Sequence, residues 1–281
     1  MDVIFLGPGR SGTTTVYRYL KQDERYNLSD EKELDLFQTK CLKFELNNDK
    51  YVNSFAKNNK IKVELSPFYF INVDLIAPLI EDSFPSARVV VIVRDPFSRA
   101  YSQYKLLKNK VFFNDISFEE YLKVCENKFI KQDRTDINYC LFFENNYVEK
   151  ILLLREVFGE KLHLLNFDLL TSNTLAFINE VNLISGLTPA VESKEVIVEN
   201  KTVDVNNLLL HKIAIISGRK FEVLLNKFPK LKDFIKNIYF SINEKNSKED
   251  LDSERRLYES FHMRLIPQTP LQVERIIKDA N

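Results

Sequence analysis

The chain has 281 residues, of which 44% are hydrophobic and 12% aromatic. This content can build one large domain or two small ones with buried cores. Lys and Arg together number 40, as do Asp and Glu, and the resulting net charge of zero argues against the polybasic surface of many nucleic-acid-binding proteins.

The cysteines and the N-terminus indicate a compartment. Cys41, Cys125 and Cys140 are too few for a disulfide framework and show no CxxC spacing, so we expect reduced thiols in a cytoplasmic protein. Asp2 stands where a signal peptide would carry basic residues. No stretch approaches the ~20 apolar residues that a membrane span needs, so we expect no membrane span.

Short apolar strands alternate with helices along the first two thirds of the chain. In chain order we expect strands at residues 3–6, 61–65, 88–93 and 161–167, and helices at 13–21, 97–108, 118–125 and 145–158. This alternation predicts an α/β fold with a central parallel sheet flanked by helices. For the last third we expect a helical cap, with a helix at 206–225, a polar surface loop at 243–254 and a terminal helix after Pro270.

The first strand leads into a glycine-bracketed loop, GPGRSGTT at residues 7–14. Glycines allow a sharp turn whose N–H groups can surround an anion, and the helix that follows adds its own unpaired N–H groups. Thr13 stands where the GxxxxGK[ST] pattern has its lysine, so the loop suits a shorter anion, such as a phosphate joined to a sulfate, and Arg10 supplies the positive charge. The alternative is a strand-to-helix turn without a ligand. The candidate binding residues are Gly9, Arg10, Ser11, Gly12, Thr13 and Thr14.

A second candidate anion site follows the strand at 88–93. The segment RDPFSRAYSQY begins at Arg94, at the carboxyl end of that strand, where open α/β sheets place their ligands. Ser102 lies about two turns into the next helix, so an arginine and a hydroxyl could hold a separate phosphate. A surface arginine beside a helix capped by Asp95 would give the same pattern without a ligand.

Together the two segments resemble the nucleotide signatures of the sulfotransferase family, whose donor is 3′-phosphoadenylyl sulfate. GPGRSGTT resembles its 5′-phosphosulfate loop and RDPFSRAYSQY its 3′-phosphate segment. EKELDLF at 31–37 and ELSPFY at 64–69 resemble the KExxFF and EKTPxY segments of the glycosaminoglycan-type and related bacterial members. The resemblance implies a three-layer, P-loop-like fold and a single domain over 1–281, with a nucleotide-binding core at 1–190 and a mainly helical part at 191–281.

The resemblance also implies roles for individual residues. Glu33 matches the base that takes the acceptor's proton, Arg10 would contact the transferring sulfuryl group, and Glu64 and Asp35 would lie on the acceptor side. Without the resemblance, Glu33 would be assigned to a solvated charged stretch. Leu65 replaces a lysine of the family pattern and Asp35 a histidine, which argues against a heparan-like polyanion and favours another carbohydrate or a small molecule as acceptor.

Three further expectations complete the sequence analysis. His163, His211 and His262 show no metal-ligand spacing with the cysteines, so we expect no metal. A nucleoside or small-molecule kinase is the first alternative function, although the loop lacks the kinase lysine. A nucleotide-binding relative without catalytic activity is the second alternative.

Overall fold

The protein is described by a computed structural model, which covers residues 1–37, 45–56, 58–108, 116–189 and 251–266, with 272, 275, 276 and 278. Within these residues, parallel strands form one five-stranded sheet in the order β2-β3-β1-β4-β5. The strands are β1 (Val3–Phe5), β2 (Tyr26–Leu28), β3 (Ile61–Leu65), β4 (Arg88–Val93) and β5 (Leu162–Asn166). Because every strand pair is parallel, the carboxyl ends of all five strands meet at one edge of the sheet.

Helices cover both faces of this sheet. They are α1 (Thr13–Lys21), α2 (Asn48–Ser54), α3 (Phe68–Ile71), α4 (Val73–Ser83), α5 (Pro96–Lys108), α6 (Phe118–Ile130), α7 (Leu141–Asn145), α8 (Tyr147–Phe158), α9 (Phe167–Ser172), α10 (Thr174–Ile184) and α11 (Leu251–Leu265). Among the described residues, short 3₁₀ turns lie at Ile137–Tyr139 and Gly159–Lys161. This arrangement confirms the predicted α/β class with a central parallel sheet.

Strand β4 shows how the sheet is buried. Val89, Val91 and Val93 lie in the same apolar cluster as residues of α4 and α8, whereas Val90 and Ile92 lie in the cluster that contains residues of α1 and α10. All five side chains are at most 1% exposed. A continuous β-branched run is typical of a strand with both faces covered. The structure confirms the buried strand predicted at 88–93.

Most predicted elements are observed, several with the predicted bounds. The helix at 13–21 and the strands at 61–65 and 88–93 begin and end where the sequence placed them. The helix at 118–125 extends to Ile130. The strand predicted at 161–167 spans Leu162–Asn166, because the Asn166 side chain accepts a hydrogen bond from the Asp168 amide and starts α9.

Two predictions were wrong in part. The helix expected at 145–158 begins two residues late, as α8 at Tyr147, because Asn146 has a non-helical backbone, with φ −78° and ψ 62°, and Asn145 ends the separate helix α7. Residues 251–254 of the loop expected at 243–254 belong to α11, whose first turn carries Asp252 and Glu254, and acidic residues there stabilise a helix. The sequence analysis also missed β2. The helix expected at 206–225, together with His211 and Cys41, lies outside the described residues.

Candidate active site

The loop after β1 needs glycine at two positions. Gly7 has φ 102° and Gly12 has φ 81°, a region that side chains disfavour. A Cβ atom at Gly7 would lie 2.7 Å from the Cα of Pro67, and one at Gly12 would lie 2.4 Å from Cδ2 of Leu170. Gly12 precedes α1 and offers no side-chain cap. The first N–H groups of this helix, which have no partner within it, are therefore at the end of the loop, where they can bind an anion.

Arg10 links this loop to the segment that follows β4. Its Nε donates a hydrogen bond of 3.1 Å to Oγ of Ser102 on α5. The guanidinium group of Arg94 donates to the backbone carbonyl of Arg10, whose φ of 65° is unusual for a residue other than glycine. The structure thus brings together Arg10, Arg94 and Ser102, which the sequence assigned to two separate anion sites.

The arginines at this edge repel one another. Burial, and then the proximity of Arg99, lowers the pKa of Arg10. Burial also lowers the pKa of Arg94 to about 10, with further contributions from Arg10 and Arg99, so the guanidinium group remains protonated at neutral pH. The ring of Phe167 lies 4.2 Å from the Arg94 guanidinium carbon. We call Arg10, Arg94 and Arg99 the cationic cluster. An anion bound beside it would relieve the repulsion.

The loop hydroxyls differ in their surroundings. Ser11 is fully buried, and its Oγ has no hydrogen-bond partner. Thr13 is also buried, whereas Thr14 is partly exposed. A buried hydroxyl without a partner is uncommon in proteins and requires an explanation. An oxygen of a phosphate or sulfuryl group held by the loop would supply the partner that Ser11 lacks, so the described residues fit a phosphosulfate anion.

The sequence analysis did not identify Arg99 and Glu144. Arg99 is fully buried on α5 and donates 2.7 Å from its Nη1 to Oε2 of Glu144 on α7. The other Glu144 oxygen, Oε1, accepts the Gly9 amide at 2.9 Å, and Nη1 of Arg99 lies 3.3 Å from the Gly9 carbonyl oxygen. Burial opposes the charge of Arg99, yet Glu144 and nearby tyrosines raise its pKa above the usual value. The ion pair therefore contacts both polar groups of Gly9.

Helix α11 reaches the same ion pair through Asn145. The Asn145 carbonyl oxygen accepts from Nε of Arg99 at 2.5 Å, and its amide nitrogen donates to the hydroxyl of Tyr258 at 2.5 Å. Arg255, also on α11, pairs with Asp95 at 3.0 Å. The sequence did contain a signal for this network. Glu144 stands in the aromatic run LFFEN, and Arg99 follows Arg94 by five positions. Charged residues in apolar surroundings need partners, so these two could have been proposed as a pair.

Carboxylates occupy the neighbouring end of β3. Glu64 is 2% exposed and accepts hydrogen bonds from the hydroxyls of Ser66 and of Tyr69, the latter at 3.2 Å. Burial raises the pKa of Glu64 to about 7, against the effect of these hydrogen bonds. Ser66 lies next to the loop, because its amide donates to the Phe5 carbonyl at 3.1 Å.

Asp35 lies on the other side of Ser66. Its amide donates to Oγ of Ser66 at 3.1 Å, whereas its carboxylate Oδ1 is buried and has no hydrogen-bond partner. Burial raises the pKa of Asp35 to about 6, and the charge of Glu33 contributes in the same direction. Glu33 itself has a side chain that is 48% exposed and forms an ion pair with its neighbour Lys32. We call Glu33, Asp35 and Glu64 the carboxylate cluster.

The described residues contain neither a metal-binding group nor a membrane-spanning helix. No three His, Cys, Asp or Glu side chains in this part of the chain are grouped in a way that could hold a metal ion. No helix among the same residues is both long and apolar enough to cross a bilayer. His163 has a pKa lowered by burial, and then by Arg88.

Comparison with known proteins places the chain in context. The family model described as "Sulfotransferase domain" matches residues 1–205. A sulfotransferase from Alicyclobacillus acidocaldarius has 20% identity and a TM-score of 0.59, over 72% of this chain and 87% of that chain. The sulfotransferase domain from the curacin biosynthetic pathway has 13% identity and a TM-score of 0.44, over 72% and 81% of the two chains. A Mycobacterium avium sulfotransferase has 12% identity and a TM-score of 0.42, over 81% and 76%. No curated protein sequence matches significantly.

Proposed function

The chain belongs to the sulfotransferase family, and we propose that it transfers a sulfuryl group from 3′-phosphoadenylyl sulfate to a hydroxyl or amine of a cytoplasmic carbohydrate or small molecule. The observation that carries this proposal is the meeting of Arg10, Arg94 and Ser102 at the carboxyl ends of β1 and β4. The donor carries a 3′-phosphate and a 5′-phosphosulfate, so a single ligand would need both of the segments that these residues join.

We assign donor contacts to candidate residues of both segments. Ser11, Gly12, Thr13 and Thr14 would bind the 5′-phosphosulfate through hydroxyl groups and helix N–H groups. Arg94 and Ser102 would bind the 3′-phosphate, which gives the crowded guanidinium group of Arg94 an anionic partner. Ser102 would exchange its bond to Arg10 for one to the donor, and the Arg10 guanidinium group would contact the sulfuryl group.

The chemistry requires a base and stabilisation of the leaving group. The donor supplies an activated sulfuryl group in its phosphate–sulfate anhydride. Glu33 would accept the proton of the acceptor hydroxyl or amine as that group attacks the sulfur in line, and it would first have to leave its ion pair with Lys32. Arg10 would stabilise the negative charge that grows on the bridging oxygen as the S–O bond breaks. No step of this scheme uses a metal.

The carboxylate cluster bears on the nature of the acceptor. Asp35 Oδ1 is buried without a hydrogen-bond donor, and Glu64 lies behind it across Ser66. A polyanionic acceptor would be repelled by these side chains, whereas a hydroxyl or amine group could donate to Asp35. We therefore expect an uncharged or amine-bearing carbohydrate or small molecule.

The first test is calorimetric titration with adenosine 3′,5′-bisphosphate, the desulfated product, and with magnesium ATP as comparator. We expect the bisphosphate to bind more tightly, and Arg94→Ala to weaken it by about 1.5–3 kcal/mol, the value of a hydrogen bond to a charged group. Arg88→Ala is the matched control, because Arg88 lies exposed at the opposite end of β4. Tighter binding of magnesium ATP would contradict the proposal and favour a kinase.

The second test is direct transfer. The protein is incubated with 3′-phosphoadenylyl sulfate labelled in its sulfate and with panels of hydroxyl and amine compounds, and labelled products are identified by mass spectrometry. Binding of the bisphosphate without transfer to any compound in a broad panel would favour the non-catalytic alternative. Appearance of a sulfated product would identify the acceptor class.

A further inference from the structure

We propose that Arg99 and Glu144 are positioning residues that hold the Gly9 peptide and thereby shape the loop for the 5′ end of the donor. This inference rests on the proposed function for the identity of the ligand. Arg99 lies inside the segment RDPFSRAYSQY, whereas Glu144 lies outside both segments that resemble the nucleotide signatures. The sequence analysis assigned neither residue a role.

The contacts form a closed arrangement around Gly9. Oε1 of Glu144 accepts the Gly9 amide at 2.9 Å, its Oε2 accepts from Nη1 of Arg99 at 2.7 Å, and the same Nη1 lies 3.3 Å from the Gly9 carbonyl oxygen. A Cβ atom at Gly9 would lie 3.1 Å from Oε1 of Glu144. The carboxylate therefore fits closely against a residue without a side chain.

This arrangement determines what the next residues can do. With both polar groups of Gly9 in contact with the ion pair, the Gly9 amide is directed to Glu144. Arg10, the next residue, has a left-handed backbone and a carbonyl that accepts from Arg94. Such a conformation persists only where its surroundings hold it. The groups left to bind the donor are then those from Arg10 onward, at the start of α1.

The charge of the pair matters as well as its shape. Glu144 is a buried carboxylate beside a loop that would bind an anion, and Arg99 compensates that charge. Arg99 in turn is held by Asn145 Oδ1 at 2.5 Å and by the Leu141 carbonyl at 3.2 Å. Asn145 donates to Tyr258 of α11, so a helix distant in sequence supports the loop.

Glu144→Gln is the variant that tests the proposal. Glutamine has the size of glutamate but only one oxygen, so it cannot accept from Gly9 and from Arg99 in the way that Glu144 does. The matched control is Glu149→Gln, which removes the same charge from an exposed position on α8. Arg99→Lys is the second variant, because lysine keeps the charge without the forked geometry, and it serves if Glu144→Gln does not fold.

The readout is the difference in affinity between adenosine 3′,5′-bisphosphate and adenosine 3′-monophosphate, which isolates the contribution of the 5′-phosphate. In wild type, the ratio of the two affinities measures what the 5′-phosphate adds to binding. We expect Glu144→Gln and Arg99→Lys to reduce this ratio at least fivefold and to leave the affinity for the 3′-monophosphate within twofold of wild type. Glu149→Gln should leave both affinities unchanged. An equal loss for both nucleotides, or no loss, would overturn the positioning role.

Amide hydrogen exchange of the ligand-free protein separates this proposal from the proposed function. We expect the Gly9 amide to exchange at least tenfold faster in Glu144→Gln than in wild type, with exchange in β5 unchanged. Unchanged exchange at Gly9 would overturn the inference. If wild type binds neither nucleotide, the proposed function fails, and exchange at Gly9 still decides whether the ion pair holds the loop.

Discussion

The cationic cluster and the carboxylate cluster lie at the same edge of the sheet but differ in charge and in how they are held. Arg10 and Arg94 follow β1 and β4, and Arg99 lies on α5. Carbonyls, a serine and a buried carboxylate accept the hydrogen bonds of these three arginines. Ser66 follows β3 and contacts both Glu64, on that strand, and Asp35. One carboxylate oxygen of Asp35 has no hydrogen-bond partner.

The two clusters also depart from ordinary ionisation in opposite directions. Burial and mutual repulsion lower the pKa of Arg10 and Arg94, whereas burial raises the pKa of Glu64 and Asp35. For these four side chains the charged form is disfavoured in the absence of a ligand, whereas Arg99, paired with Glu144, has a raised pKa. An anion would stabilise the first cluster and a proton or hydrogen-bond donor the second. A transfer from an anionic donor to a protic acceptor uses both preferences.

The largest expected effect separates the two clusters by function. Glu33→Gln removes the proposed base, so sulfuryl transfer should fall by about 10²–10⁴-fold. Binding of adenosine 3′,5′-bisphosphate should stay within twofold of wild type, because Glu33 is not among the proposed donor contacts. The assay measures kcat with an acceptor found in the transfer screen. Transfer at the wild-type rate would exclude Glu33 as the base.

The next effect tests how the cationic cluster contributes to stability. Arg99→Met leaves the Glu144 carboxylate buried without its partner, so the free energy of unfolding should fall by about 3–5 kcal/mol, as measured by urea titration. Replacing both residues by methionine should cost less than the single change, because no buried charge then remains. A double variant at least as unstable as Arg99→Met would contradict this electrostatic account.

The carboxylate cluster should make stability depend on pH. The pKa of Glu64 rises from 4.5 when exposed to about 7 in the folded protein, so the folded state binds a proton more tightly than the unfolded state. The contribution of Glu64, on the order of 3 kcal/mol, is therefore fully present below pH 4.5 and is lost as pH rises through 7. Glu64→Gln should remove this part of the pH dependence and leave the part that comes from Asp35.

Urea titrations of wild type and Glu64→Gln at pH 4.5 and pH 8 measure the effect. We expect the free energy of unfolding of the variant, relative to wild type, to be higher at pH 8 than at pH 4.5. The same difference at both values would mean that folding does not raise the pKa of Glu64.

The smallest expected effect concerns the backbone of the loop beside the cationic cluster. Gly12→Ala places a Cβ 2.4 Å from Leu170 Cδ2, whereas Gly186→Ala, at a similar φ of 76°, meets its nearest atom, in Arg88, only at 3.9 Å. Both variants carry the cost of a left-handed alanine, so the difference in free energy of unfolding isolates the close contact. We expect Gly12→Ala to be less stable than Gly186→Ala by about 1–3 kcal/mol. Equal values would mean that Leu170 moves aside without cost.

Local patterns predicted much of the fold. The run RVVVIV was predicted as a buried strand because β-branched residues without polar interruption suit a strand covered on both faces. Strand β2 escaped prediction because it has three residues, and the buried Asn27 at its centre owes its place to hydrogen bonds with Ala56 and Asn58. A local sequence pattern cannot predict a contact with a residue about thirty positions away.

The candidate site divides in the same way. Gly7, Arg10 and Arg94 stood out because loop spacing and strand ends are local features. Arg99 and Glu144 did not, because they are 45 residues apart in the chain and their ion pair depends on how α5 packs against α7. The exposure of Glu33 and the burial of Asp35, two residues later, also depend on which side of this segment faces Ser66.

The sequence by itself determined the α/β class, the glycine-bracketed loop and the two segments that resemble the family's nucleotide signatures, because apolar periodicity and glycine spacing act within a few residues. Only the tertiary structure decided that Arg10 contacts Ser102, that Glu144 and Arg99 hold Gly9, and that Asp35 and Glu64 are protonated more readily than exposed carboxylates. Burial and electrostatic interaction depend on distances between residues far apart in the chain, and those distances exist only once the sheet and its helices have packed.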